Sequence, residues 1–443
     1  MDYLIPSLPE TVRLAEAAGN FKLARALLDK LLAGPLPPGL AARLEFETDR
    51  LERIREAYPY DRAAALKILR ARLKNFRNSE LDGWIKAGWA APRTIGGKER
   101  FMAAFASNII FCGGRALKKR LKDQDKAGGA GLKKLLSRVD ELISGAAPAK
   151  YRARARVTLT LKTAPKETVR CWLPFPRVGD QVSSARLIAA SHKRYRLAKP
   201  GAEHRTIYFE GKDRKFFAEF EYEISEWVPG SRTAGPVPAA ARKYLAEEPP
   251  HIVFTPYVKK LAAEITRGET DGYRKAGRIY DWLTANLTYN YTLPYGIFEN
   301  ISEHVLTNLK GDCGFQALGF ITLCRAAGVP AKWQSGWVAR PDRAGFHDWA
   351  MFYAGGWRPA DISFGTGRRA AGEEARWRFY FGNLDAGRMV ANSEMGAPLW
   401  PPKKFWRSDP TDNQRGEVEN ASGNLYQDKF STKIKLLSFE KVG

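Results

Sequence analysis

Three residues in the C-terminal half of the chain have types and settings suited to covalent chemistry: Cys313, His347 and Asp361. The stretch Gly311-Asp312-Cys313-Gly314-Phe315-Gln316-Ala317 opens a mostly apolar run. Asp312 is a good N-cap residue, and Gly328 and Pro330 supply the stop. A run apolar nearly all round predicts a buried helix with Cys313 in its first turn. There the exposed N–H groups and the helix dipole favour a thiolate over a thiol. A neighbouring backbone N–H can meet an oxyanion. Gly314 removes a side chain where a substrate backbone would approach. Cys324 lies eleven residues further on. At about 1.5 Å per residue it sits roughly 16 Å along the same helix, too far for a disulfide or a shared metal, and reads as core.

His347, Trp349, Met351 and Tyr353 alternate as one face of a strand, Gly355-Gly356 marks a turn, and Trp357 to Asp361 returns. Loop length decides what Asp361 can reach. A two-residue loop sets it opposite Ala350, on the wrong face. The three-residue loop Ala354-Gly355-Gly356 sets it opposite Trp349, as a same-face diagonal neighbour of His347. Asp348 adjoins His347, and strand alternation predicts that it points away from the imidazole. A nucleophile, a base and a carboxylate that orients the base make a Cys-His-Asp catalytic triad. The remaining histidines, His192, His204, His251 and His304, show no ligand-like pairing. The reading therefore expects no metal and no cofactor.

The elements that must carry these residues are legible as period changes. Residues 10 to about 140 read as helical. Phe21, Leu23, Ala24, Leu27, Leu28, Leu31 and Leu32 form a stripe ended by Gly34-Pro35, Leu44, Phe46, Leu51 and Ile54 suggest a second helix, and Asp61 caps a third with Ala65, Leu66, Ile68, Leu69 and Leu73. Phe101 to Gly114 reads as a buried helix too short to span a bilayer. The segment from Glu80 to Trp89, with Gly96-Gly97, reads as a break in the helices, its tryptophans as core packing. Lys122 to Gly131 reads as a loose linker. From Tyr151 the period becomes two. A basic strand through Arg152, Arg154 and Arg156 and an acidic one through Glu219, Glu221 and Glu223 predict cross-strand pairing in a small antiparallel sandwich. Pro229 to Pro238 reads as a second linker. The expected layout is a multidomain α+β chain: a helical domain at 1–148, a β-sandwich-like domain at 149–232, and an α+β catalytic domain at 239–443.

At 443 residues the chain has room for about two to four domains. The start shows no signal-peptide pattern, and the four cysteines form no CxxC pair, as expected for a soluble, cytoplasmic protein with no membrane partner. The net charge of +24 is spread along the chain, with clusters at Arg115–Lys126 and Lys193–Arg196. No helix-turn-helix, RNP or finger pattern accompanies it, so it reads as solvated surface and not as a nucleic-acid footprint.

Residues 308–317, with the following Leu323-Cys324-Arg325-Ala326-Ala327-Gly328-Val329-Pro330-Ala331, resemble the cysteine motif of the transglutaminase-like superfamily. His347-Asp348-Trp349-Ala350 resembles its histidine motif, and Trp357-Arg358-Pro359-Ala360-Asp361 its aspartate motif. Residues 300 to 420 look like bacterial transglutaminase-domain proteins, including the tail segments Tyr380–Asp385 and Pro401–Trp406. The resemblance implies a papain-like core and a thiol attack on peptide-like amides through a thioester, with a peptide or protein substrate. Hydrolysis, as by a cysteine peptidase or amidase, is the simplest outcome. The alternatives are transfer from protein glutamine to an amine, and a non-catalytic peptide- or glycan-binding module.

Overall fold

The computed structural model describes residues 1–122, 129–230, 236–340 and 343–442. The linkers expected at 122–131 and 229–238 lie partly outside these. The chain divides into two compact units. One comprises Met1–Asp125, Glu248–Val253 and Thr288–Asp312, the other Lys126–Glu247, Phe254–Leu287 and Cys313–Gly443.

The first unit is mostly helical. Helices form at Phe21–Leu32, Pro38–Ala57 and Arg62–Arg72; the first buries Phe21, Ala24 and Leu28 of its expected stripe but leaves Leu23 exposed, and Asp61 Oδ1 accepts from the Ala64 N–H at 2.8 Å. The segment read as a break is instead a helix, Asn78–Lys86. Glu80 accepts from the Arg77 N–H at 2.8 Å, and Leu81 and Trp84 are buried. Capping and burial outweigh the cost of about 1 kcal/mol for Gly83 inside the helix. Trp84 stacks on Phe76 at 5.8 Å, the core role expected of it. Gly96 and Gly97, at φ +59° and +73°, form the turn between strands Arg93–Ile95 and Lys98–Arg100. His251 is fully buried in this unit. Its Nδ1 accepts from the Ile301 N–H at 3.4 Å, its Nε2 has no partner, and burial pushes its pKa down to about 3.

In the second unit, one antiparallel sheet runs Phe430–Val442, Lys150–Leu161, Lys215–Ser225, Val182–Ala190. The basic and acidic strands pair in the expected register, Arg152 opposite Glu223, Arg154 opposite Glu221 and Arg156 opposite Glu219. Arg154 and Arg156 both bond Glu219, at 2.6 and 2.8 Å. A facing sheet runs Asn424–Leu425, Glu417–Glu419, Val169–Pro174, Thr206–Gly211, Arg196–Leu197. The sandwich does not close within 149–232 as expected. Strands from 417–442 complete both sheets, because Ile434 and Leu436 alternate with Lys433 and Lys435 and fit the edge beside the Lys150–Leu161 strand.

A third antiparallel sheet runs Trp357–Ala360, Arg343–Tyr353, Ala331–Arg340, Arg388–Asn392, and the helix Cys313–Ala326 packs against its middle strands. Val157, Phe220, Trp337, Trp349, Met351 and Met389 belong to one buried cluster. Phe220 stacks on Trp337 at 5.7 Å. The sandwich and the sheet of the candidate site therefore share one interior.

Two outcomes follow. Residues 239–443 expressed alone lose the sandwich half of that interior. At about 1.5–3 kcal/mol per large apolar side chain, against a net stability of about 5–15 kcal/mol, the fragment cannot hold its fold. Circular dichroism with thermal scanning is expected to show no cooperative transition; a cooperative melt of the fragment contradicts the shared core. His251 is neutral in both folded and unfolded chains above about pH 6.5. Below that the unfolded chain takes a proton that the folded one refuses, down to about pH 3. Stability then falls as pH falls, at up to about 1.4 kcal/mol per pH unit. Urea midpoints of wild type and His251→Gln at pH 7 and 5 check this: the variant is expected to lose less between the two.

Candidate active site

Register sets the site. The His347 strand meets the returning strand with Tyr353 opposite Trp357 and Ala350 opposite Ala360, so the loop is Ala354-Gly355-Gly356. That places Asp361 on the face of His347, and His347 Nε2 lies 2.7 Å from Asp361 Oδ2. On the other side His347 faces Gly336, and Arg388 faces Val338 two residues along the same strand. His347 and Arg388 therefore share a face. A Cβ at Gly336 would collide with the Met389 carbonyl oxygen, so only glycine lets the Arg388 strand close here.

Asp361 is also the N-cap of the helix Ile362–Ala370, and its Oδ1 accepts from the Phe364 N–H at 3.1 Å. Its Oδ2 takes two further bonds from Arg388, from Nη2 at 2.8 Å and Nε at 3.2 Å. Burial alone would raise the Asp361 pKa, but the His347 and Arg388 charges outweigh it and hold the carboxyl down at about 2. Arg388 is itself fully buried. It bonds Asp385 Oδ1 at 3.1 Å and lies over the Phe364 ring at 4.2 Å. Asp385 Oδ1 accepts from the Gly387 N–H at 2.8 Å, and its Oδ2 from the Tyr380 hydroxyl at 3.0 Å. The imidazole is walled by Trp349, stacked at 5.8 Å, and Phe364, edge-on at 5.1 Å.

Cys313 opens its helix as expected and is partly exposed. Its thiol donates to Asp348 Oδ2 at 3.2 Å, so it lies against the residue next to His347. Asp348 was expected only to point away from the imidazole, and its contact with Cys313 was not legible. Asp348 Oδ1 accepts from the Gln414 amide, which also donates to Asp412 Oδ2 at 2.7 Å. Asp312 takes the hydroxyls of Tyr295 at 2.6 Å and Thr292 at 2.7 Å. Arg388, Gln414 and Asp412 were also missed, since they lie 27 to 53 residues beyond Asp361 and carry no local motif. The Tyr380–Asp385 segment of the resemblance was the available signal for Arg388, three residues further on.

The other cysteines are poor nucleophiles. Burial pushes the thiols of Cys112, Cys171 and Cys324 up, and the last two are wholly enclosed. Cys324 lies in the same continuous helix as Cys313 and is core, as read from its spacing. Among the described residues no His, Cys, Asp or Glu group has the makings of a metal site, and no helix is long and apolar enough to cross a membrane.

A cysteine at a helix start, a histidine on a strand and an aspartate at the junction of the return strand and the next helix thus lie in one α+β layer over an antiparallel sheet. Residues 259–362, which contain all three side chains, match the family model of the transglutaminase-like superfamily, a family of cysteine-dependent enzymes. No curated protein matches the sequence. Among solved structures the chain is similar to a candidate cysteine protease from Cytophaga hutchinsonii at 14% identity and a TM-score of 0.39, over 67% of this chain and 90% of that one. It is also similar to the periplasmic domain of TgpA from Pseudomonas aeruginosa at 16% identity and a TM-score of 0.29, over 54% of this chain and 95% of that one.

Competitive labelling with iodoacetamide near pH 7 is expected to modify Cys313 about tenfold or more faster than Cys112, Cys171 or Cys324. Peptide mapping reads the rates, and equal rates in the native protein contradict the assignment. Asp361→Asn should slow the reaction of Cys313. Asp348→Asn should speed it severalfold, because a carboxylate beside the sulfur opposes thiolate formation.

Proposed function

We propose that this protein is a thiol-dependent acyl-transfer enzyme that cleaves peptide-like amides hydrolytically, with Cys313 as nucleophile, His347 as base and Asp361 as the residue that orients the base. The observation that carries this reading is the buried 2.7 Å bond between His347 Nε2 and Asp361 Oδ2, one residue along the chain from the acceptor of the Cys313 thiol.

Asp361 is held ionised, so it accepts from Nε2–H and leaves Nδ1 as the basic nitrogen. In the proposed reaction Nδ1 takes the thiol proton, and the sulfur attacks the amide carbonyl carbon. The C–N bond breaks, the imidazolium protonates the departing amine, and a thioester remains on Cys313. Water then attacks the thioester while Nδ1 takes a proton from it. The C–S bond breaks, and the thiol is restored. Hydrolysis is preferred to amine transfer because it needs no second binding site.

The test is a mixture of unrelated peptides incubated with the full chain and followed by mass spectrometry. The expected products are new amino and carboxyl termini, absent with Cys313→Ala. Asp361→Asn should lower turnover about 10²-fold or more while the thermal midpoint moves little, since the imidazole loses its fixed tautomer. Amine incorporation without new termini would overturn the hydrolytic half of the reading. Undiminished cleavage by Cys313→Ala would overturn all of it.

A further inference from the structure

We propose that Arg388 is a positioning residue that sets the basicity of His347 by sharing the carboxylate oxygen to which the imidazole is bonded. This rests on the reading of His347 as the base.

Asp361 Oδ2 is the meeting point. His347 Nε2 reaches it at 2.7 Å, and Arg388 Nη2 and Nε at 2.8 and 3.2 Å. Arg388 and Asp361 are fully exposure-free, and Asp385, the second anion on the guanidinium, is 1% exposed. Three consequences follow from this geometry. A carboxylate pinned by a rigid planar guanidinium cannot rotate, so Nε2 has one place to donate. A bare carboxylate beside an imidazole favours the imidazolium strongly, whereas one whose charge is shared with a cation favours it less. Asp385 takes part of the Arg388 charge in turn, so it sets how much is left for Asp361. The row His347–Asp361–Arg388–Asp385 alternates in sign when the imidazole is protonated, and its outer anion is held by the Tyr380 hydroxyl and the Gly387 N–H.

The other groups facing this row do not supply the same control. From the strand of His347 itself comes Asp348, whose carboxylate is occupied by Cys313 and Gln414. From the nucleophile helix comes the Cys313 thiol. The Ile362–Ala370 helix brings Phe364, and the neighbouring strand presents Gly336, neither of which is charged. Arg388 is thus the cation placed to tune the pair. An aliphatic residue at 388 would leave two buried carboxylates without their counter-ion.

The experiment is the NMR titration of His347 in the full chain carrying Cys313→Ala, which removes the thiol from the titration. With five histidines in the sequence, assignment by single substitution is direct. Arg388→Met is expected to raise the His347 midpoint by about one pH unit or more, and Arg388→Lys to keep it within about half a unit. Asp385→Asn, which is isosteric and leaves Arg388 in place, is expected to lower it, because more of the guanidinium charge then falls on Asp361. Shifts of opposite sign in Arg388→Met and Asp385→Asn support the proposal. A merely structural role moves both in the same direction or neither, and that result overturns it. If Arg388→Met does not fold, Asp385→Asn with Arg388→Lys decides alone: a downward shift in the first and a near-native value in the second support the proposal, anything else overturns it. The titration needs no turnover. Predicted shifts in a protein that cleaves no peptide would leave this inference standing and remove the proposed activity.

Discussion

The rest of the site depends on one buried anion. Asp361 has no contact with solvent, and removing a carboxylate from water costs several kcal/mol unless donors replace the lost hydration. Four groups do so: the His347 ring, the Arg388 guanidinium, the Phe364 N–H and, at 3.4 Å, the Ser363 hydroxyl. They come from three different pieces of backbone geometry, the Phe364 N–H and the Ser363 hydroxyl sharing one helix. The ring needs a three-residue hairpin loop, the N–H needs a helix starting at Ile362, and the guanidinium needs a strand that closes over Gly336. If any of these fails, the charge is stranded. The anion and the fold around it therefore specify one another.

The sandwich supports this arrangement at particular points. Trp349, two residues beyond His347, donates its indole N–H to Gln334 Oε1 at 2.5 Å, and Gln334 donates to Asp180 Oδ2 at 3.1 Å. The next residue, Gln181, donates to the backbone oxygens of Ser225 at 3.0 Å and Asp385 at 3.2 Å. One turn of the sandwich thus holds the histidine strand and the segment leading to Arg388. Together with the shared apolar interior, it makes the sandwich part of the site's support rather than a separate appendage. The strands at 417–442 that close the sandwich come from the far end of the chain, so the supporting layer forms only when both ends of the second unit meet.

What the sequence revealed follows a physical rule: it revealed what is local. The Cys313 helix, the alternation at His347, the loop length and the alternation within each of the charged strands at 152–156 and 219–223 all depend on neighbours a few residues apart. The transglutaminase-like core was legible because its motifs are contiguous. Residues 78–86 form a helix where a break was expected, because the Glu80 cap and the buried Leu81 and Trp84 offset the cost of Gly83. The sandwich boundary was misplaced because strand pairing between 150–161 and 430–442 spans most of the second unit. Arg388 and the Cys313–Asp348 contact were missed for the same reason. A cation found by closing a sheet, or a carboxylate met by a helix from another layer, has no periodic signature in the chain.

The central claim is that Asp361, through His347, makes Cys313 a nucleophile. The most direct measurement is the ultraviolet thiolate absorbance of the native protein as a function of pH, taken as the difference from Cys313→Ala and repeated in His347→Ala and Asp361→Asn. The account requires a thiolate signal at Cys313 well below the ordinary thiol range, formed together with protonation of His347. That signal should be lost in His347→Ala and shifted in Asp361→Asn. A thiolate transition at Cys313 that stays in place when His347 or Asp361 is replaced would contradict it.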